Sequence, residues 1–272
     1  MEKRQEDESR YTFGDQGPAA ERLRRLSELY RPVSAAAIQQ ACDALGGEVG
    51  LAIDLGAGPG YTTELVAEMT GAHRVVGYER SALFCREAKA RLSGAIEIVE
   101  QDVAAADLPI ANADLAFCRF LLTHLSEPVA TLKRWRGSLR SGGMLLLLEL
   151  EKLSSTDPIL ARYYEIIDGV QAHQGQQMYI GSSLEGFARD AGFSIVVSRS
   201  VEPGISAAGM AALHRPNLDN VRQDPWVMEN FTESELDEVA AGLERIAAEV
   251  GGRTPIENML RIVLAQCDAP DL

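Results

Sequence analysis

The chain has 272 residues, 46% of them hydrophobic, enough for one large α/β domain with its own core and a cap. Its 26 Lys and Arg stand against 40 Asp and Glu, a net charge of −14; this argues against a nucleic-acid partner, whose phosphates need a basic surface. Four scattered cysteines (Cys42, Cys85, Cys118, Cys267) contain no CxxC pair, which fits a reducing, cytoplasmic setting without disulfide or metal staples.

The opening residues, MEKRQEDESR, are charged throughout and lack the apolar stretch of a signal peptide. Residues 18–45 read as helical, with Leu23, Leu26 and Tyr30 on one face, an interruption at Pro32, and a second stripe of Ile38, Cys42 and Leu45. Strands and helices then alternate. Strands are expected over 51–55, 74–78, 96–100, 113–118 and 144–150, with helices over 62–70, 82–92 and 128–139. In the 82–92 helix Leu83, Cys85, Ala88 and Leu92 should face inward. The apolar run at 144–148 is far short of the roughly 20 residues a membrane span needs. Continuously apolar strands between amphipathic helices predict a mostly parallel sheet covered on both faces. Beyond residue 151 helices are expected over 158–171, 182–191 and 233–250 and strands over 193–199 and 258–266. Residues 202–231 show no clear period.

Chemistry concentrates in AIDLGAGPGYTTE, where the first strand meets a helix. Gly56, Ala57, Gly58 and Gly60 form a turn whose backbone can approach a ligand closely. Such turns serve dinucleotides and S-adenosylmethionine alike. Here the third glycine arrives one residue earlier than in GxGxxG, and Asp54 sits two residues before the first. An acid at that place suits a sulfonium and an ammonium better than a pyrophosphate. Glu79, with Arg80 beside it, ends the second strand and can accept two ribose hydroxyls. Asp102 follows the third strand and can accept an adenine amine, while the Val103 amide donates to a ring nitrogen. The three acids should line one crevice at the carboxyl ends of successive strands.

In DLGAGPG, GYERS, EQDV, ADLAFCRFLLTHLSEP and LRSGGMLLLLE, taken in order, the chain resembles the class I (Rossmann-like) S-adenosylmethionine-dependent methyltransferases. It is most similar to the methyltransferase-domain subfamily of ubiquinone and menaquinone methylases and natural-product tailoring enzymes. The resemblance covers roughly residues 11–201. It implies a seven-stranded sheet with the last strand antiparallel, an N-terminal helical lid (1–45), a cofactor-binding core (46–150) and cap segments that complete the sheet (151–272), all one methyltransferase domain. It implies S-adenosylmethionine as cofactor and S-adenosylhomocysteine as product. It places Arg119 and Phe120 against the methionine part of the cofactor, and Tyr11 and Arg22 of the lid near its carboxylate. The Asp/Asn-Pro-Pro-aromatic stretch of nucleic-acid amino-methylases is missing, since Cys118-Arg119-Phe120-Leu121 stands there.

A general base would help a phenol, enol or acid acceptor, and a histidine suits that work. His124 and His173 are the candidates; each also fits a structural role, and His73 reads as surface. Tyr163, Tyr164, Met178, Tyr179, His214 and Trp226 are the candidate acceptor contacts, aromatic and amphipathic as a pocket for a small flat molecule would be. Tyr163 and Tyr164 equally fit core packing. No residue set has metal-ligand spacing. The function expected is methyl transfer to an O, N or C atom of a small molecule, in secondary metabolism, with no membrane partner and a homodimer left open. The same motifs would serve an enzyme that uses the cofactor's charge for a cyclisation or decarboxylation. An NAD(P) oxidoreductase or a non-catalytic binding subunit is further from the pattern.

Overall fold

The structure is a computed structural model, and it describes residues 19–268. Tyr11 lies outside the described residues.

A seven-stranded sheet runs in the order β3-β2-β1-β4-β5-β7-β6. Its strands are β1 (Leu51–Leu55), β2 (Arg74–Glu79), β3 (Ile96–Glu100), β4 (Ala113–Arg119), β5 (Leu139–Ser154), β6 (Phe193–Val201) and β7 (Glu257–Cys267). The pairs among β1 to β5 are parallel, and β7 runs antiparallel between β5 and β6. This is the fold that the resemblance implies.

Strand periodicity divides the central residues between two cores. Ala52, Leu115, Phe117, Leu146, Leu148, Ile262 and Leu264 point to one face and pack with helices α1 (Ala19–Leu45) and α2 (Tyr61–Thr70). Ile53, Leu55, Ala116, Cys118, Leu145, Leu147, Val263 and Ala265 point to the other. There they meet helices α4 (Pro128–Arg136) and α6 (Leu184–Asp190). Helix α3 (Ala82–Arg91) packs its Cys85 and Ala88 on Ile98 and Ala57; Phe84 is buried with them, in place of the expected Leu83.

A further core belongs to the cap. Helices α5 (Pro158–His173), α7 (Ala207–Val221), α8 (Pro225–Asn230) and α9 (Glu233–Ala247) bury it together with Tyr30, Leu153 and Leu260. Its platform is the end of the β5–β7 ladder past a register shift between Leu150 and Lys152, so β5 is much longer than expected. Helix α9 starts on a reciprocal capping box between Thr232 and Glu235.

Two expectations change. Pro32 does not interrupt α1, which runs unbroken through it. Pro32 and Glu28, whose carbonyl loses its helical donor, are both exposed, so water can satisfy that oxygen. The stretch 202–231 is largely helical. The buried stripe of α7 includes Met210, His214, Asn217 and Val221, and its two polar members hide the apolar period. Among the described residues no helix is long and apolar enough to cross a membrane, and no group of His, Cys, Asp and Glu could hold a metal ion.

Candidate active site

The glycine turn leaves β1 and is tied at once to β2. The Gly56 and Ala57 amides both donate to the Tyr78 carbonyl at 2.9 Å. The Gly58 amide donates to Glu79 Oε2 at 2.9 Å, and the Ser81 amide to Glu79 Oε1 at 2.7 Å. Gly60, at φ +84°, caps the start of α2; a Cβ there would lie 2.6 Å from Leu92 Cδ1. Gly77 of β2 is equally constrained, since a Cβ would meet Thr63 Oγ1 and Ile98 Cδ1 at 2.8 Å. The turn and the tip of β2 are thus one rigid unit with the Glu79 carboxylate at its centre. Burial pushes the Glu79 carboxyl up from its usual range, and the Ser81 and Gly58 amides pull it back.

Asp54, expected to lie near a bound cation, also serves the scaffold. Its Oδ2 accepts from the Thr62 and Thr63 hydroxyls, each at 2.7 Å, and so holds the first turn of α2. Burial pushes it up to about 6, against the two hydroxyls and the charge of Arg119. Asp102 is half-buried; its Oδ1 accepts from the Ala104 amide at 2.8 Å in a turn after β3. The Val103 carbonyl accepts from Trp135 Nε1 at 2.9 Å, which fixes this turn against α4. Arg80 is exposed at the same rim.

After β4 the chain turns under visible control. Arg119 Nη1 donates to Ser34 Oγ of α1 at 2.8 Å. Burial lowers its guanidinium to about 10, while Asp54, Tyr30 and Glu149 favour the charged form. Phe120 sits in the left-handed region at φ +56°, where a bulky residue is strained. Its amide donates to the Leu148 carbonyl, and its ring meets Tyr30 edge-on at 4.9 Å. The next two amides, of Leu121 and Leu122, donate to Glu149 Oε1 at 2.8 and 2.7 Å. Glu149 is 1% exposed, and burial pushes it up to about 8. Ser34, Tyr30 and Glu149 are thus site residues that sequence reasoning missed. The signal for Glu149 was one acid ending an apolar run in LLLLELE.

His124 lies in the short 3₁₀ turn that follows (Leu122–His124). Its Nδ1 pairs with Gln176 Oε1 at 2.9 Å. With that oxygen accepting, Nδ1 carries the proton and Nε2 keeps its lone pair. Burial lowers the ring to about 4, so it is neutral near pH 7. Arg22 of α1 is buried, and its charge reaches both His124 and Tyr163. Leu23 beside it approaches Gly58, so α1 does border the glycine turn.

The remaining candidates divide. Tyr163, Tyr164 and His214 form one buried aromatic group, with the His214 ring stacked on Tyr163 at 4.3 Å. His173 is exposed in the last turn of α5, where the helix turns its end to solvent, and does not join them. Tyr179 donates its hydroxyl to the Leu153 carbonyl at 3.1 Å and packs, like Met178, against the cap core. Trp226 lies over Gly169 of α5, where a Cβ would fall 1.9 Å from its ring, so it closes the cap core.

Residues 53–147 match a family model described as a methyltransferase domain. Trans-aconitate 2-methyltransferase of Rhizobium etli is 37% identical over 94 residues, which cover 35% of this chain and 36% of that protein. The match therefore spans little more than a third of such a relative. The cyclase SpnF shares the fold at a TM-score of 0.56 and 16% identity, over 86% of this chain and 82% of that one. A phosphoethanolamine N-methyltransferase of Haemonchus contortus, in complex with S-adenosyl-L-methionine, shares it at 0.52 and 15%, over 85% of this chain and 52% of that one.

Proposed function

We propose that this chain, whose residues 53–147 match a methyltransferase-domain model and whose sheet has the class I methyltransferase fold, transfers a methyl group from S-adenosylmethionine to an O, N or C atom of a small molecule. The observation that carries this reading is the Glu79 carboxylate, locked by two amides at the tip of β2 beside the glycine turn. A carboxylate oxygen accepts more than one hydrogen bond, so Glu79 can take ribose hydroxyls beside those amides. The residues around it fit the rest of the cofactor. Asp102 and Val103 would hold the adenine, and Arg119 would take the methionine carboxylate with a fork of donors. Asp54, close to the glycine turn, disfavours a pyrophosphate there, which argues against a dinucleotide.

The bound cofactor supplies a methyl group on a positively charged sulfur. The chain's own residues align the acceptor and exclude water. His124, held through Nδ1 by Gln176 Oε1, is the residue this reading assigns to take an acceptor's proton. A tailoring role in secondary metabolism suits a small acceptor and an enclosed aromatic cap.

Glu79→Ala and Asp102→Ala should each raise the calorimetric Kd for S-adenosylhomocysteine by about ten- to a hundredfold, since a hydrogen bond to a charged group contributes about 1.5–3 kcal/mol. Unchanged affinity in both variants overturns the placement of the cofactor. His124→Ala should lower turnover and leave that Kd alone. Release of S-adenosylhomocysteine in step with product separates methyl transfer from chemistry that only borrows the cofactor's charge.

A further inference from the structure

Helices α5 and α7 bring an unusual set of polar atoms together in the cap. Tyr163, Tyr164 and Gln171 lie on α5, and His214 and Asn217 on α7; all five are at least 95% buried. The His214 ring stacks on Tyr163 at 4.3 Å and meets Tyr164 edge-on at 5.4 Å. Both His214 nitrogens, the Tyr164 hydroxyl, Gln171 Oε1 and Asn217 Oδ1 have no hydrogen-bond partner among the described residues. Buried polar atoms are nearly always paired, because an unpaired one forfeits its hydration with no return. Phenylalanine would pack as well at 164 and 214 without that loss. Packing therefore accounts for the rings and leaves the nitrogens and the hydroxyl unexplained.

These atoms lie close to the post-β4 turn. Tyr30 touches Phe120, and its hydroxyl is near enough to Tyr164 to disfavour ionisation there. Their chemistry is narrow. Burial lowers His214 to about 3 and raises the Tyr164 hydroxyl well above its usual value, so both are neutral. A neutral imidazole offers one donor and one acceptor, a tyrosine hydroxyl offers both, and the two amide oxygens accept. The set contains no carboxylate and no ammonium. Among the described residues the cations nearby are buried Arg22 and half-buried Arg119, two charges where a tricarboxylate would bring three.

We propose that Tyr164 and His214 form the acceptor subsite and select an uncharged ring bearing a hydroxyl or amide, not a polycarboxylate such as the substrate named for the trans-aconitate methyltransferases. The acceptor role rests on the methyltransferase reading above, whereas the ligand chemistry rests on the unpaired atoms. Tyr164, His214 and Asn217 take the polar edge of that ring.

The test uses the full chain, with 4-hydroxybenzamide and trans-aconitate as probes in calorimetry and ligand-observed NMR, with and without S-adenosylhomocysteine. Wild type should bind 4-hydroxybenzamide, and trans-aconitate should not displace it. Tyr164→Phe and His214→Phe should each weaken the benzamide tenfold or more, with the Kd for S-adenosylhomocysteine unchanged. A structural role predicts that both variants melt earlier. The proposal predicts that, without ligand, both melt at or above the wild-type midpoint, since each loses an unpaired atom and keeps its ring. The proposal is overturned by lower midpoints with benzamide binding intact, by tighter binding of trans-aconitate, or by no benzamide uptake in protein that takes up S-adenosylhomocysteine. If the nucleoside itself fails to bind while the benzamide does, the methyltransferase reading falls and the subsite stands.

Discussion

Gly60→Ala is expected to destabilise the protein by about 2–4 kcal/mol, whereas Gly71→Ala, at the other end of the same helix, should cost about 1 kcal/mol. Both glycines cap α2 in the left-handed region, at φ +84° and +59°. Both substitutions therefore carry the same chirality penalty, roughly 1–2 kcal/mol. They differ in their surroundings. A Cβ on Gly71 meets nothing within 4 Å, while one on Gly60 lies 2.6 Å from Leu92 Cδ1 and 3.1 Å from Ala88 Cβ. Leu92 can swing aside, but Ala88 belongs to α3 and is fully buried, so the turn itself has to move. That movement carries Gly58 away from Glu79 and spreads the unit proposed to hold the cofactor. Urea midpoints measure the stability gap, and calorimetry with S-adenosylhomocysteine should show Gly60→Ala as the variant that loses binding. Equal destabilisation in the two variants would show that backbone strain alone governs the turn.

The sheet and its glycine turn were legible because each signal there is local. A five-residue apolar run such as LAIDL becomes a central strand whichever neighbours it acquires, and the three glycines in GAGPG admit the left-handed turns that side chains resist. Glu79 and Asp102 could be placed because parallel strands all deliver their carboxyl ends to one edge. Asp54 was placed at the strand end, but its hold on the first turn of α2 was not foreseen. The threonines that engage it, Thr62 and Thr63, lie a turn later, and nothing in their spacing says that their hydroxyls turn back.

The cap was legible only in part, for the reason that makes it interesting. Helix α7 exposes no clean apolar stripe, because two of the positions it buries are His214 and Asn217. A polar residue on a buried face defeats periodicity, and the same residue is what a binding surface requires. Pro32 misled in the opposite sense: it looked like a break, yet an exposed proline removes one bond that water replaces. Contacts such as Arg119 with Ser34, or His124 with Gln176, join residues far apart in the chain and have no sequence signature.

Glu149 should make stability fall as pH rises through the neutral range. Its folded-state carboxyl is raised from 4.5 to about 8 by burial, against the pull of the Leu122 and Leu121 amides and of Arg119. The folded chain therefore binds a proton that the unfolded chain has lost. That contribution is complete below the unfolded value and disappears as pH rises through about 8. Asp54 acts with the same sign but is spent by about 6, while His124 and His214, lowered to about 4 and about 3, act with the opposite sign at acid pH. Between about pH 7 and pH 8 the slope therefore comes chiefly from Glu149, while Cys118, raised further still, stays protonated in the folded chain. Glu149→Gln keeps an oxygen for the Leu121 and Leu122 amides but cannot ionise, so its curve should be flat over that interval. Glu149→Ala removes the acceptor, strands two buried amides and opens a cavity, and should lose about 3–5 kcal/mol at every pH. With that anchor gone Phe120 has no reason to stay left-handed, and the affinity for S-adenosylhomocysteine should fall along with stability. If the glutamine variant keeps the wild-type slope, the proton belongs to another group, and Glu149 holds the turn as a carboxylate paired with Arg119.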